Sequence, residues 1–229
     1  MTHSVSPETI HLRPHADVAE RVLLPGDPGR ALRLAQLLVD GTPKMLNHNR
    51  GLWGYSGIAH DGELLTVQAT GMGGPSAAIV VEELVQLGAR RFVRVGTCGA
   101  LTGELALGEL LAAEAALPED GTSRALGATG PLEADPVLQR GLQARRGLVV
   151  SSDLFYDPDP ARAERWRAAG ALAVEMEAAT LFAVAARHGL PAACLLAVSD
   201  VVAPRERIDP DALLAAEQEL GRVALAAFG

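Results

Sequence analysis

Residues 174–200, VEMEAATLFAVAARHGLPAACLLAVSD, contain the pattern that decides the fold of this chain. Apolar residues in it recur at i, i+3, i+4 and i+7, the spacing of one helical face: Ala178, Leu181, Phe182 and Ala185. Gly189 and Pro191 are typical residues for ending such a helix. Residues 192–198 are apolar throughout, which predicts a buried central strand that leads to Asp200. A helix followed directly by a buried strand is typical of a sheet covered by helices.

The same alternation of apolar runs and helical patterns extends to both ends of the chain. Strands are predicted at residues 21–24, 64–70, 92–95, near Leu110 and at 148–151, and helices that end near Leu38, Gly88 and Phe228. Asp27 is a good N-cap and Pro28 a good first helical residue, because proline lacks the donor that would have no partner there. Residues 118–136 are predicted as surface loops. We therefore predict an α/β fold: a single domain over residues 1–229 with a central, mostly parallel or mixed β-sheet flanked by helices.

The composition restricts the classes of function. With 229 residues, 48% of them hydrophobic, the chain can bury a sizeable core. Its net charge of −8 argues against nucleic acid or an anionic membrane surface as the main partner. Residues 1–17 have no apolar run, so no signal peptide is predicted, and no stretch approaches the roughly 20 apolar residues of a membrane span. Cys98 and Cys194 lie in apolar segments, which predicts buried thiols and a reducing, cytoplasmic location.

Candidate phosphate-binding residues lie at the predicted strand ends and turns. Ligands of open α/β sheets bind at the carboxyl ends of the strands. A doubly charged phosphate favours forked guanidinium donors, backbone amides and a hydroxyl. The candidates are three arginines, a hydroxyl and a glycine that lets the backbone approach a ligand: Arg30, Arg50, Arg94, Thr97 and Gly26. For each arginine taken alone, a solvated surface charge is the alternative interpretation.

Three carboxylates at strand ends are candidates for catalysis and sugar binding. Asp200 ends the apolar strand, where partial removal from water suits a general acid. A helix cap or a salt bridge is the alternative role for Asp200. Glu177 could accept hydrogen bonds from two sugar hydroxyls. Acidic residues also favour helix N-termini, which explains Glu175 or Glu177 but hardly both.

Other motifs carry little functional weight. Residues 71–77, GMGGPSA, depart from a dinucleotide-binding glycine loop, because Pro75 intervenes and no acid stands about 20 residues on. Cys98 has no histidine–carboxylate pairing near it in sequence, and small buried cysteines are common. No C-x-x-C motif occurs in the chain, and no metal is predicted.

Seven short blocks occur in order along residues 10–200 and together identify a family. They are Pro25-Gly-Asp-Pro-Gly-Arg30, Asn49-Arg-Gly51, Gly71-Met-Gly73, Arg94-Val-Gly-Thr-Cys-Gly99, Ser152-Asp-Leu-Phe-Tyr156, Val174-Glu-Met-Glu177 and Val198-Ser-Asp200. The set resembles the bacterial purine nucleoside phosphorylase and uridine phosphorylase family, and most of all its hexameric purine nucleoside phosphorylases. Each block alone would be a weak signal, whereas seven in order are a strong one.

The resemblance implies an activity and a set of roles. The activity is phosphorolytic cleavage of purine (deoxy)ribonucleosides to free base and (deoxy)ribose 1-phosphate, with phosphate as co-substrate and no cofactor. Phosphate would be held by Gly26, Arg30, Arg94 and Thr97, with Arg50 of a neighbouring subunit. Ribose would be held by Met72, Met176 and Glu177, with His11 of the neighbour at the 5′-hydroxyl. The base would meet Phe155, Glu175 and Ser199, and Asp200 would protonate it at N7. A homo-oligomer, hexameric and built from dimers that share active sites, is implied as well.

Two departures from the family pattern bear on the substrate. Purine members carry an arginine well after the catalytic aspartate; the aligned position here is Leu213, with Arg205 and Arg207 closer to Asp200. Uridine members carry a glutamine and an arginine after the Phe-Tyr pair. Residues 157–161 contain no glutamine, and Arg162 matches that arginine only roughly, so a purine substrate is favoured.

Three alternatives remain beside the purine phosphorylase. Uridine phosphorylase is one, and a methylthioadenosine/S-adenosylhomocysteine nucleosidase is another. The nucleosidase uses water and has no need of Arg30, Arg50 and Arg94 together. A non-catalytic nucleoside-binding protein of the same fold is the third, and it would not need Asp200. The sequence does not rank inosine, guanosine and adenosine, or ribose and deoxyribose.

Overall fold

A computed structural model describes residues 9–202 and 206–229 of the chain. Its strands within these residues are β1 (Arg21–Leu24), β2 (Lys44–Asn47), β3 (Gly54–Ile58), β4 (Leu64–Gln68), β5 (Arg91–Ala100), β6 (Leu110–Glu119), β7 (Leu132–Glu133), β8 (Arg145–Ser152), β9 (Ala171–Glu175), β10 (Ala192–Val201) and β11 (Glu206–Arg207). Its helices there are α1 (Pro28–Leu38), α2 (Gly74–Gln86), α3 (Gly121–Ala125), α4 (Pro136–Gly141), α5 (Arg162–Ala168), α6 (Ala178–His188) and α7 (Pro210–Ala226).

All of these strands belong to one mixed sheet, part of which closes on itself. Strands β5, β10, β6, β8 and β9 form a ring, because β5 pairs with both β9 and β10. From β5 the sheet continues outward through β1, β4, β3 and β2. The pairs of β1 with β5 and of β5 with β10 are parallel, whereas β2, β3 and β4 pair antiparallel. The predicted single α/β domain with a mixed sheet flanked by helices is confirmed.

The core has two large apolar clusters on opposite faces of the sheet. Strand β10 contributes to both, because successive side chains of a strand point to opposite faces. Cys194, Leu196 and Val198 lie in the cluster beneath α2 and α6. Ala193 and Leu195 lie in the cluster beneath α1 and α7. The predicted buried central strand is therefore confirmed, and it extends to Val201.

Helix ends form where the sequence predicts them. Asp27 caps α1 by accepting the backbone N–H of Arg30 at 2.6 Å, and Pro28 opens the helix. Helix α6 ends at Gly189, which adopts φ 63°, a left-handed conformation that glycine reaches without steric cost. These are local signals, so sequence alone was sufficient for them.

Several elements differ from the prediction. Residues 118–136, predicted as loops, include α3 and the two-residue strand β7. The antiparallel strands β2 and β3 were not predicted. Strand β3 contains Gly54 and Gly57, which resemble loop residues in sequence. A Cβ on Gly54 would overlap the side chain of Gln68, so glycine serves close strand packing here rather than a turn.

No helix in residues 9–202 and 206–229 is long and apolar enough to cross a membrane.

Cys98 and Cys194 are both unpaired and buried, as predicted. Burial raises the pKa of Cys98, and the charges of Glu175 and Asp200 raise it further. A thiol held in this protonated form is a poor nucleophile, which agrees with the interpretation of Cys98 as a core residue.

Candidate active site

Strand register brings the predicted site residues to one edge of the sheet. Leu24, the last residue of β1, lies opposite Arg94 on β5. The turn at Gly26, which follows β1, is therefore close to Arg94. On the other side of β5, Asp200 on β10 lies opposite Gly99. The end of β1, Arg94 within β5 and Asp200 near the end of β10 thus lie on three adjacent parallel strands; β5 extends to Ala100, so Arg94 is inside the strand and not at the strand end where we expected it.

Arg94 is the centre of a buried charge cluster. Its Nε donates to Oε2 of Glu175 at 2.8 Å, and its Nη2 pairs with Glu177. Burial alone would lower the pKa of Arg94, but the carboxylates of Glu177 and Glu175 raise it overall. The guanidinium is thus charged, and two of its three nitrogens are fixed by protein.

The third nitrogen of Arg94 is buried and has no hydrogen-bond partner among the described residues. This Nη1 faces the turn at Gly26, where a Cβ would lie 4.0 Å from it. A buried unpartnered N–H costs about 1–3 kcal/mol, so such groups in native proteins call for an explanation. A charged donor aimed at a glycine turn is the arrangement that an anion would satisfy.

Gly96 is a site residue that we did not single out from the sequence. A Cβ at Gly96 would lie 2.7 Å from Nη2 of Arg94, so any side chain there would displace the guanidinium. The available signal was a glycine in the interior of a buried strand, which often marks close approach of another group. What approaches here is the side chain of Arg94, and that is visible only in three dimensions.

Glu177 lies beside Arg94 at the start of α6. Its carboxylate accepts the backbone N–H of Gly73 and pairs with Arg94. Burial raises the pKa of Glu177, an effect that Arg94 opposes. The carboxylate of Glu177 thereby links the glycine-rich segment 71–74 to the β9–α6 junction, next to Arg94.

Glu175 is placed differently from the expected contact with a base. Its side chain is 1% exposed. It accepts hydrogen bonds from Arg94, from the Ser151 hydroxyl and from the amides of Glu177 and Ala178 at 2.9 and 3.0 Å. Both oxygens of Glu175 are therefore engaged by protein donors, and the residue orients Arg94.

Arg30 has its own carboxylate partner. Its Nε donates to Oε1 of Glu217 on α7 at 2.8 Å, and the Arg30 side chain is 10% exposed. The positive charge of Arg30 also acts on Glu177, where it opposes the effect of burial on the pKa. Arg30 lies in the first turn of α1, directly after the Gly26 turn that approaches Nη1 of Arg94.

Asp200 lies half-buried at an irregularity of β10. The register with β5 shifts between Val198 and Asp200, as at a β-bulge, a feature that re-aims side chains. The Ser199 hydroxyl is 2.8 Å from Oδ1 of Asp200. A Cβ on Gly99 would lie 3.0 Å from Oδ2, so the carboxyl passes close over the β5 backbone. Arg207 lies opposite Asp200 in the antiparallel register of β11 and β10, while Arg205 lies outside the described residues.

The remaining predicted residues differ in their exposure. Thr97 and Met176 are half-buried, whereas Met72 and Phe155 are exposed. The exposed fraction of Met72 is 86% and that of Phe155 is 61%, unusual values for large apolar side chains. Such side chains are available to a ligand or to another subunit.

His11 and Arg50, the two residues expected from a neighbouring subunit, lie in irregular segments. The ring of His11 is 2.7 Å from Glu83 through Nδ1. Arg50 is exposed and has no carboxylate within 4.0 Å in the described part of the chain. It is also the one non-glycine residue there with a left-handed backbone, at φ 58°. Such backbone strain is retained at functional sites more often than elsewhere.

No group of three or more His, Cys, Asp or Glu side chains that could hold a metal occurs in the described ranges.

Comparison with known proteins gives a consistent set of relatives. The model of the phosphorylase superfamily matches residues 20–228. A purine nucleoside phosphorylase DeoD-type of Geobacillus kaustophilus is 36% identical over 223 residues, covering 92% of this chain and 93% of the relative. One of the same name from Caldanaerobacter subterraneus subsp. tengcongensis is 37% identical, covering 80% and 84%. A guanosine phosphorylase of Halorubrum lacusprofundi is 38% identical, covering 80% and 78%.

Proposed function

The chain belongs to the phosphorylase superfamily, and on that premise we propose that it cleaves purine nucleosides with inorganic phosphate. The products are the free base and (deoxy)ribose 1-phosphate, with phosphate as co-substrate rather than cofactor. The observation that carries the proposal is the buried Nη1 of Arg94, which faces the Gly26 turn and has no hydrogen-bond partner in the described part of the chain. The names of the relatives, purine nucleoside and guanosine phosphorylases, support the substrate class.

In this proposal the phosphate lies between the β1–α1 turn and the end of β5. Gly26 lets the backbone approach the anion, and Arg94 donates through Nη1. Arg30 and the hydroxyl of Thr97 complete the donors from this chain. Guanidinium groups suit the site because their planar donors match phosphate oxygens.

The sugar and the base occupy the remaining part of the edge. Glu177 accepts hydrogen bonds from sugar hydroxyls, and Met72 and Met176 pack against the sugar. Phe155 lies against the base, and Ser199 orients Asp200. Glu175 serves the site through Arg94, since its own oxygens are occupied by protein donors.

The mechanism follows from the charge that develops as the glycosidic bond breaks. The sugar becomes oxocarbenium-like and positive, so the bound phosphate stabilises it and then attacks it. The purine leaves with excess negative charge, which Asp200 neutralises by donating a proton at N7. The irregularity at Ser199 supports this role, because it aims the Asp200 carboxyl across the β5 backbone.

We also propose that the site is shared between subunits of a hexamer built from dimers, in the cytoplasm. Arg50 would add a guanidinium to the neighbour's phosphate, and His11 would meet the neighbour's 5′-hydroxyl. The exposure and the left-handed backbone of Arg50 support an external role for it. The two unpaired, buried cysteines agree with a reducing compartment.

The deciding experiment is a base-release assay on inosine, guanosine, adenosine and uridine, each with and without phosphate. We expect turnover of the purine nucleosides that requires phosphate or arsenate, and far lower specificity constants for uridine. Equal base release in phosphate-free buffer would instead indicate a hydrolase. A preference for uridine would reassign the protein to the uridine branch, and no turnover at all would favour a nucleoside-binding protein.

A further inference from the structure

Glu217 is a buried carboxylate on a helix face that is otherwise apolar. Its neighbours on the buried side of α7 include Ala216, Leu220 and Ala224, and the Glu217 side chain is 6% exposed. Burying a charge is costly unless it is paired and hydrogen-bonded. Two arginines of α1 provide the pairing: Arg30 through Nε at 2.8 Å and Arg33 through Nη2 at 2.6 Å.

Packing of α1 against α7 does not require this carboxylate. The two helices already meet through apolar groups, closely enough that a Cβ on Gly221 would lie 2.6 Å from Leu34. Leu38 lies in the same contact. Replacing a buried ion pair by apolar residues is often neutral or stabilising, so an ion pair inside an apolar contact suggests a role other than stability.

The ion pair with Glu217 fixes the orientation of the Arg30 guanidinium and of its N–H donors. With Nε bound to Glu217, the guanidinium plane is set, and both terminal Nη atoms remain without a hydrogen-bond acceptor among the residues described. Arg30 stands in the first turn of α1, directly after the Gly26 turn, where an added Cβ would lie 4.0 Å from Nη1 of Arg94. Arg33, whose side chain is 44% exposed, shares the carboxylate, and the three groups keep a net positive charge.

We propose that Glu217 is a positioning residue for the phosphate co-substrate: it holds Arg30 by Nε so that the terminal edge of the guanidinium meets the anion. The inference rests on the proposed phosphorolysis. Without Glu217, Arg30 would lose the partner of its Nε–H, and its guanidinium would no longer be held in one orientation toward the phosphate. The expected consequence falls on phosphate binding and leaves the handling of the nucleoside nearly unchanged.

The test compares Glu217→Ala, Glu217→Gln and Arg30→Ala, with Glu219→Gln as the matched control. Glu219 lies on the exposed side of α7, two residues away, and pairs with Arg222 at 3.5 Å. For each variant, KM for phosphate, KM for nucleoside and kcat are measured on the full chain. Phosphate affinity is also measured directly by calorimetry, a readout that does not depend on turnover.

We expect Glu217→Ala to raise the phosphate KM and Kd about tenfold, the size of one lost hydrogen bond to a charged group. Nucleoside KM should stay within about twofold. Glu217→Gln retains an oxygen acceptor for Nε and should restore most of the affinity. In the Arg30→Ala background, Glu217→Ala should have no further effect, because the residue acts through Arg30.

Unchanged or tighter phosphate binding in Glu217→Ala would overturn the proposal, since the carboxylate would then only repel the anion. An equal loss in the Arg30→Ala background would overturn it too. Failure of the wild-type chain to use phosphate is a different result: it would remove the proposed function itself, before any variant is compared.

Discussion

The Nε of Arg94 lies 2.8 Å from Oε2 of Glu175, and the side chains of both residues are at most 6% exposed. Glu175 accepts this donor while it also accepts the Ser151 hydroxyl and two amides at the start of α6. One carboxylate therefore ties a candidate phosphate ligand on β5 to the β9–α6 junction. A buried charge cluster of this kind supports a site only as long as every member keeps its partner.

Glu175→Gln should weaken phosphate binding and lower stability together. The amide keeps the size of the side chain but presents its own N–H groups to donors, which leaves a buried donor unpaired. Loss of a partner in such a cluster costs about 1–3 kcal/mol, so the free energy of unfolding should fall by that amount and the phosphate KM should rise about tenfold or more. Urea unfolding and phosphate titration measure the two effects. Glu133→Gln, which removes an exposed carboxylate on β7, is the control. Small changes of the unfolding free energy and of the phosphate KM in both variants would contradict the prediction.

Gly96→Ala should impair phosphate use although it adds a single methyl group. The new Cβ would lie 2.7 Å from Nη2 of Arg94 and force the guanidinium to move. A displacement of that size in a positioned donor can cost about 10²-fold, which we expect in kcat/KM for phosphate. Gly103→Ala is the matched control, since a Cβ there meets nothing within 4 Å. Wild-type kinetics in Gly96→Ala would show that the position of Arg94 is not critical.

Asp200→Asn should remove most activity on ordinary purine nucleosides. Loss of a general acid costs about 10²–10⁴-fold in rate. Nucleosides of 7-methylated purines, whose base leaves without a proton, should be affected much less. Comparing kcat/KM on the two substrate types gives the answer. Losses of equal size on both would indicate that Asp200 is structural.

Mixing two inactive variants should restore activity if Arg50 serves the neighbouring subunit. Arg50→Ala subunits combined with Asp200→Asn subunits can form pockets in which both groups are wild type. Partial recovery of phosphorolysis after joint unfolding and reassembly is therefore expected. Each variant reassembled alone is the control. Mixed oligomers that form but remain inactive would assign Arg50 to its own subunit or to no site.

Features set by neighbours along the chain could be predicted from the sequence. The apolar run at 192–198 became the buried strand β10, and the helix before it ends at Gly189. Asp27 and Pro28 start α1 as expected. Each of these depends on the periodicity or the backbone preference of a few consecutive residues, so no distant contact was needed to infer it.

The pairing of charges was decided only by the tertiary structure. Arg94 meets Glu175, 81 positions away, and Arg30 meets Glu217, 187 positions away, because strand order and helix packing bring them together. The sequence indicated which residue types could hold an anion but not which carboxylate would hold each arginine. The position of a residue in the periodic pattern of its own strand or helix determines on which face its side chain lies. Its partner depends on which other strand or helix lies opposite, and that is a property of the whole sheet.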